Sequence, residues 1–348
     1  VIRGLPLLPG ADPPLGIEEL DVLSHTGVRV ETPLERHARA HDLRSRSLLV
    51  ALSISEAEDL KRFGLRQAHL DAVFMELSRY LLVAGVRLAY GGHLGKKGYT
   101  DQLATIVRGP VIDQLRGRVP DDEAPAELVN YLAWPMVPVA HDEARLGPLV
   151  EVIRCERPAE VTETLDARFV EAPQVEIPSD SAAERFAWAR GLAAMRARQT
   201  ADISARIVIG GRTGIGYRGR MPGVLEETLL TFRAKHPLYL VGAFGGCARL
   251  VLDALDGAPR AELTSQFHSQ RPHTDDVKKL YVGSGLTWDE FEDIAAEFKA
   301  GAIGDLNNGL SADENRELAT TRSAERIVEL VLHGLQQCYP PTTASNPE

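Results

Sequence analysis

Three cysteines, Cys155, Cys247 and Cys338, lie far apart and form no CxxC pair. That spacing argues against a structural zinc site or a disulfide framework and fits a reducing, cytoplasmic setting. The ten histidines form no HExxH motif, and no metal site is expected. Positive charge is also short. Lys and Arg total 39 against 49 Asp and Glu, for a formal net charge of −10. General nucleic-acid binding needs the opposite balance. No apolar run reaches membrane-spanning length, and the opening VIRGLPLLPGADPPLG is too broken by Pro and Gly for a signal core.

What is present is an ordinary globular composition, 44% hydrophobic and 25% charged over 348 residues. Such a chain buries a sizeable core without staples. Residues 1–46 carry Pro6, Pro9, Pro13, Pro14 and Pro33 and read as an extension or linker. From Ser47 the pattern alternates. Strand-length apolar runs at 47–55, 86–93, 127–135, 148–155, 205–211 and 237–246 are interleaved with helical periodicity at 68–85, 99–107, 181–199, 223–235 and 247–257. Three more helices follow, at 287–301, 311–321 and 323–338, with Ser311 and Ser323 as N-caps. The expected fold is α/β: one doubly wound, Rossmann-like parallel sheet over 47–338 with extra C-terminal helices, and a disordered tail over 339–348.

In such a sheet, ligands bind beyond the C-terminal strand ends. Glycine-bearing or hydroxyl-bearing turns stand there four times. The first holds Ser53 and Ser55. The second holds Gly91, Gly92 and Gly98 with Tyr99 and Thr100. The third runs from Gly210 and Gly211 through Arg212 to Gly223, and the fourth holds Gly245 and Gly246. Backbone N–H groups at a strand–helix junction approach an anion closely, and the helix dipole assists. Within Gly210–Gly223, Arg212, Arg218 and Arg220 supply positive charge. Arg220 stands beside Met221 and Pro222 at the start of the next helix, where a proline costs no hydrogen bond. Glu226 and Glu227 follow. Neighbouring helix positions diverge by about 100°, so only one is expected to face a ligand. His93 reads as a turn residue, Trp134 and Cys247 as core, and Asn307 and Asn308 as backbone caps.

These motifs, VRLAYGGH…GY and IVIGG…PGVLEE, resemble the SLOG superfamily. That group joins LOG-type nucleotide phosphoribohydrolases, Smf/DprA proteins and the sensor domains associated with TIR and sirtuin effectors in bacterial defence; the last are the nearest in character. The LOG pattern is PGGxGTxxE. Gly210 and Gly211 resemble its paired glycines, Gly223 its later glycine and Glu227 its final glutamate. Val224 stands where that pattern has threonine, and RTGIGYRGRMP is inserted between the two halves. The resemblance implies a nucleotide or NAD-derived ligand. Two functions follow from it: a sensor that passes its signal to a separate effector protein or its own homo-oligomer, or an N-glycoside hydrolase using Glu227 with Glu226. A Rossmann oxidoreductase is disfavoured, since no GxGxxG follows the first strand.

Overall fold

The computed structural model describes residues 43–108, 126–136, 138, 140–147, 149–161 and 179–340. Six strands, β1 (Leu49–Ser55), β2 (Arg87–Gly91), β3 (Leu128–Leu132), β4 (Val150–Arg154), β5 (Ala205–Gly210) and β6 (Leu238–Val241), form one sheet in the order β4-β3-β2-β1-β5-β6. Every neighbouring pair is parallel. The strands step outward from β1 to β4, then the chain returns and lays β5 on the other side of β1. The reversal between β1 and β5 is the topological switch point.

The first half contains α1 (Gln67–Val83), α2 (Tyr99–Arg108), α3 (Ala140–Leu146) and α4 (Ala182–Asp202). Helices α5 (Gly223–Arg233) and α6 (Gly246–Leu255) follow β5 and β6. The C-terminal part contributes α7 (Ser265–His268), α8 (Thr274–Gly283), α9 (Phe291–Ala300), α10 (Ala312–Thr320) and α11 (Ala324–Cys338). The doubly wound α/β expectation holds, helical C-terminal part included. Helices α3, α7 and α8 were not singled out in the sequence, because each is short or weakly patterned.

Alternation along the strands sorts the two faces. Val50, Leu52, Ile54, Ile207 and Ile209 pack with α1 and α11 in one core. On the opposite face, Ala51 packs with Met195 of α4, and Val208 with Leu225 and Leu229 of α5 and Phe298 of α9. Ser53 and Arg206 share the parity of Ala51 and Val208, so they point to the α4–α5 face. Turn and cap chemistry follows the sequence. Gly85 ends α1 at φ 88, its N–H donating to Leu82 O at 3.0 Å. Ser311 forms a capping box with Glu314, and Ser323 accepts from Arg326 N.

The domain edges extend slightly beyond the expected boundaries. Leu43 is buried and donates its N–H to Ala84 O at 2.8 Å, and Tyr339 donates its hydroxyl to Ser204 O at 2.6 Å. Residues 1–42 of the extension, residues 162–178 and the tail from 341 lie outside the described residues. No described helix is long and apolar enough to cross a membrane.

Candidate functional site at the β1–β5 switch point

The two glycine pairs after β5 and β6 cross each other. Gly210, Gly211, Gly245 and Gly246 all have positive φ, at 62, 99, 72 and 62°. A Cβ on Gly246 would lie 2.6 Å from the carbonyl carbon of Gly210, and one on Gly211 would lie 2.8 Å from Val224 Cβ and 2.9 Å from Cys247 Cβ. Cys247 N–H donates to Gly211 O at 2.9 Å. These glycines let two turns and two helix starts meet without side chains between them. Cys247 itself is fully buried, as its core assignment expects, and burial pushes its thiol pKa up.

The turn after β1 places carboxylates over these turns. Glu58 Oε2 accepts from Thr213 N at 3.0 Å, Gly214 N at 2.9 Å and Thr213 Oγ1 at 3.1 Å. Asp59 Oδ1 accepts from Gly246 N at 2.9 Å, at the start of α6. Glu56 pairs with the exposed Arg212 at 3.1 Å. Two anion-accepting backbone positions singled out in the sequence thus hold the chain's own carboxylates, which complement the partial positive charge there. Ser55 Oγ is likewise committed, accepting from Arg212 N at 3.0 Å.

The start of α5 is different. Pro222 is its N-cap, one residue before the helix rather than inside it, and no side chain caps it. Gly223 opens the helix. A Cβ there would come within 2.6 Å of Arg196 Nη2, so glycine leaves room for that guanidinium at the helix mouth. Met221 is buried beneath, in the core shared by α5, α6 and α9. Arg220 is 8% exposed; its Nη1 donates to Asp289 at 2.6 Å and its Nε lies 4.0 Å from Glu226.

Both glutamates are buried, so the expectation that one would turn away is not met by simple exposure. They diverge as the helix requires, but each finds an arginine. Glu226 faces α4 and pairs with Arg196 Nη1. Glu227 faces the sheet. It accepts from Ser53 Oγ at 2.5 Å and from Arg206 Nη1 at 3.3 Å, and lies 3.6 Å from Arg196 Nε. Arg206 is wholly buried and also donates to Ser53 Oγ (2.7 Å), Gln199 Oε1 (3.0 Å), Thr231 Oγ1 (2.6 Å) and Thr200 Oγ1 (3.3 Å). Burial lowers its pKa to about 10, against the opposing pull of Glu227. It stays charged at neutral pH.

The β2 side lies across β1 from β5. Around Gly91, a Cβ would sit 3.1 Å from Met195 Sδ and 3.5 Å from Gln199 Nε2, a buried amide nitrogen without a hydrogen-bond partner. Burial, and next the charge of Glu227, push the Tyr90 phenol pKa far up, so it remains protonated. Thr100 Oγ1 donates to Asn130 Oδ1 at 2.7 Å, and Asn130 Nδ2 donates to Gly92 O at 2.9 Å, which holds the Gly92 turn. Tyr99 hydroxyl accepts from Gln67 (2.8 Å) and donates to Asp71 (3.1 Å), while Gly98 N–H donates to Gly95 O. His93 caps its own turn, accepting from Gly95 N.

A family model described as SLOG cluster2 matches residues 44–318. The chain belongs to the SLOG superfamily. No curated protein and no solved structure matches it significantly. The match covers the whole SLOG sheet, both glycine pairs, the α5 mouth and the helices through most of α10.

Sequence reasoning missed several residues that the SLOG fold brings to this site: Tyr90, Arg196, Gln199, Arg206 and Asp289. One signal was available. Arg206 interrupts the apolar run ARIVIGG of a central strand, where an unpaired charge is not tolerated. It required a carboxylate partner on the same face.

Proposed function

We propose that this SLOG protein is a sensor for a nucleotide, with an NAD-derived nucleotide as the favoured ligand class. Family membership supports a nucleotide-related role. The phosphate would sit at the uncapped mouth of α5, beside Gly223, Arg196 and Arg220. The observation that carries sensing over catalysis is the commitment of both glutamates to ion pairs. An alternating chain of charge runs from Arg206 through Glu227, Arg196, Glu226 and Arg220 to Asp289, and on to Arg233 and Glu297 of α9. Glu227 is held by Ser53 and Arg206 rather than left as a free base. The same chain links the ligand position to the C-terminal helices, which gives occupancy a physical route outward. The signal would pass to a separate effector protein or to a second copy of this chain, in a bacterial defence or signalling setting.

The test is incubation with AMP, ATP, NAD, ADP-ribose and cyclic ADP-ribose isomers, followed by mass spectrometry of retained ligand and released base. Retention of an intact nucleotide without base release is expected. Catalytic release of free base would overturn the sensor reading and assign Glu227 to hydrolysis.

A further inference from the structure

Arg271 lies in the turn between α7 and α8 and is only 4% exposed. Its Nη2 donates to Arg218 O at 3.3 Å, and its Cζ lies 4.3 Å from the centre of the Tyr217 ring. Its Nε is buried with no hydrogen-bond partner. No carboxylate of a described residue forms an ion pair with it. This sets it apart from the buried Arg196, Arg206 and Arg220, each of which pairs with a glutamate or aspartate. Arg185, on the first turn of α4, is half-buried. Its Nε is also buried without a partner, and no described carboxylate pairs with it.

The surroundings hold Arg271 in place. Tyr217 hydroxyl donates to His268 Nδ1 at 3.0 Å, and the His268 ring stacks on Phe291 at 3.6 Å between centroids. Burial lowers the Arg271 pKa against the opposing pull of Tyr217, and the charge of Arg185 adds to the lowering. A buried guanidinium without an ion-pair partner is expensive, and Arg185 adds charge from the first turn of α4, which packs on α8 through Phe186 and Tyr281. A bound oxyanion offsets both. Guanidinium forks match phosphate oxygens in geometry, and two of them match a dianion in charge.

We propose that Arg271 and Arg185 form an oxyanion site, separate from the α5 mouth, that takes a phosphate group. It requires no particular nucleotide and stands apart from the sensor reading.

The test uses the full chain and inorganic phosphate, against sodium chloride at matched ionic strength, in thermal-shift titrations. Phosphate is expected to raise the wild-type midpoint. Its apparent affinity should fall roughly tenfold or more in Arg271→Gln and Arg185→Gln, the scale of one charged hydrogen bond. It should persist in the surface control Arg316→Gln. Phosphate should also slow phenylglyoxal modification of Arg185 in the wild type while leaving Arg316 unprotected, a readout independent of whether the variants fold. A shift that survives Arg271→Gln, a shift lost in Arg220→Gln instead, no shift in the wild type, or an unprotected Arg185 would each overturn the proposal. A shift lost in Arg220→Gln but kept in Arg271→Gln would place the phosphate at the α5 mouth.

Discussion

Glu227→Gln tests the buried charge chain where it is deepest. The substitution keeps size and removes one negative charge. Arg206 is wholly buried, and Glu227 is its ion-pair partner at 3.3 Å. Arg196 Nε lies 3.6 Å away on the other oxygen. At an effective dielectric constant of about 20, unit charges about 4 Å apart interact by roughly 4 kcal/mol. Removing one partner of a buried pair costs about 3–5 kcal/mol, because the remaining charge keeps its desolvation penalty. The new amide nitrogen would add to this, since one of its donors must face Arg196 or Arg206. The expected loss is therefore about 3–5 kcal/mol, a large share of a typical domain's roughly 5–15 kcal/mol. Urea unfolding followed by tryptophan fluorescence and far-UV circular dichroism measures it. Arg206→Met completes a double-mutant cycle. The double variant should be less destabilised than the sum of the singles by more than about 1.5 kcal/mol, well beyond the roughly 0.5 kcal/mol within which independent sites add. Singles that add within that margin, or a Glu227→Gln loss below about 1 kcal/mol, would refute the account of a coupled buried network.

Gly211→Ala should destabilise by roughly 2–4 kcal/mol, combining a positive φ with overlap against Val224 and Cys247; denaturant midpoints at unchanged m-value check it. Ser311→Ala removes the α10 capping box and should cost about 1 kcal/mol by the same assay. His268 is buried neutral, with its pKa lowered by burial, so the folded state binds its proton less readily than the unfolded chain. Its contribution to stability is present above the unfolded value of about 6.5 and is lost as pH falls through the folded value. Unfolding free energy measured from pH 8 to pH 5 should therefore fall less steeply in His268→Phe than in the wild type; parallel profiles would remove His268 from the acid response.

Much of the fold was legible in the chain itself, because periodicity reports local geometry. The apolar runs became six strands, the helices around Phe74, Trp188 and Leu229 formed where the 3.6-residue spacing placed them, and Gly85, Ser311 and Ser323 ended or began helices by their own turn chemistry. The parallel arrangement followed from the alternation of strand and helix. The four turns at the C-terminal ends of the strands were also visible, since they follow the strands directly. What those turns do was decided by residues distant in sequence. Asp59 reaches Gly246 across 187 positions, Glu58 reaches Gly214 across 156, and Ser53 reaches Glu227 across 174. Glycine next to a strand signals a close approach, but the sequence does not say whether a ligand or another loop approaches. Here backbone crossing and the protein's own carboxylates account for two of the turns. The pairing of Arg196 with Glu226, and of Arg206 with Glu227, was likewise set by tertiary structure. Low dielectric drives these buried charges toward opposite partners, and which partner each finds depends on how α4 and α5 lie over the sheet.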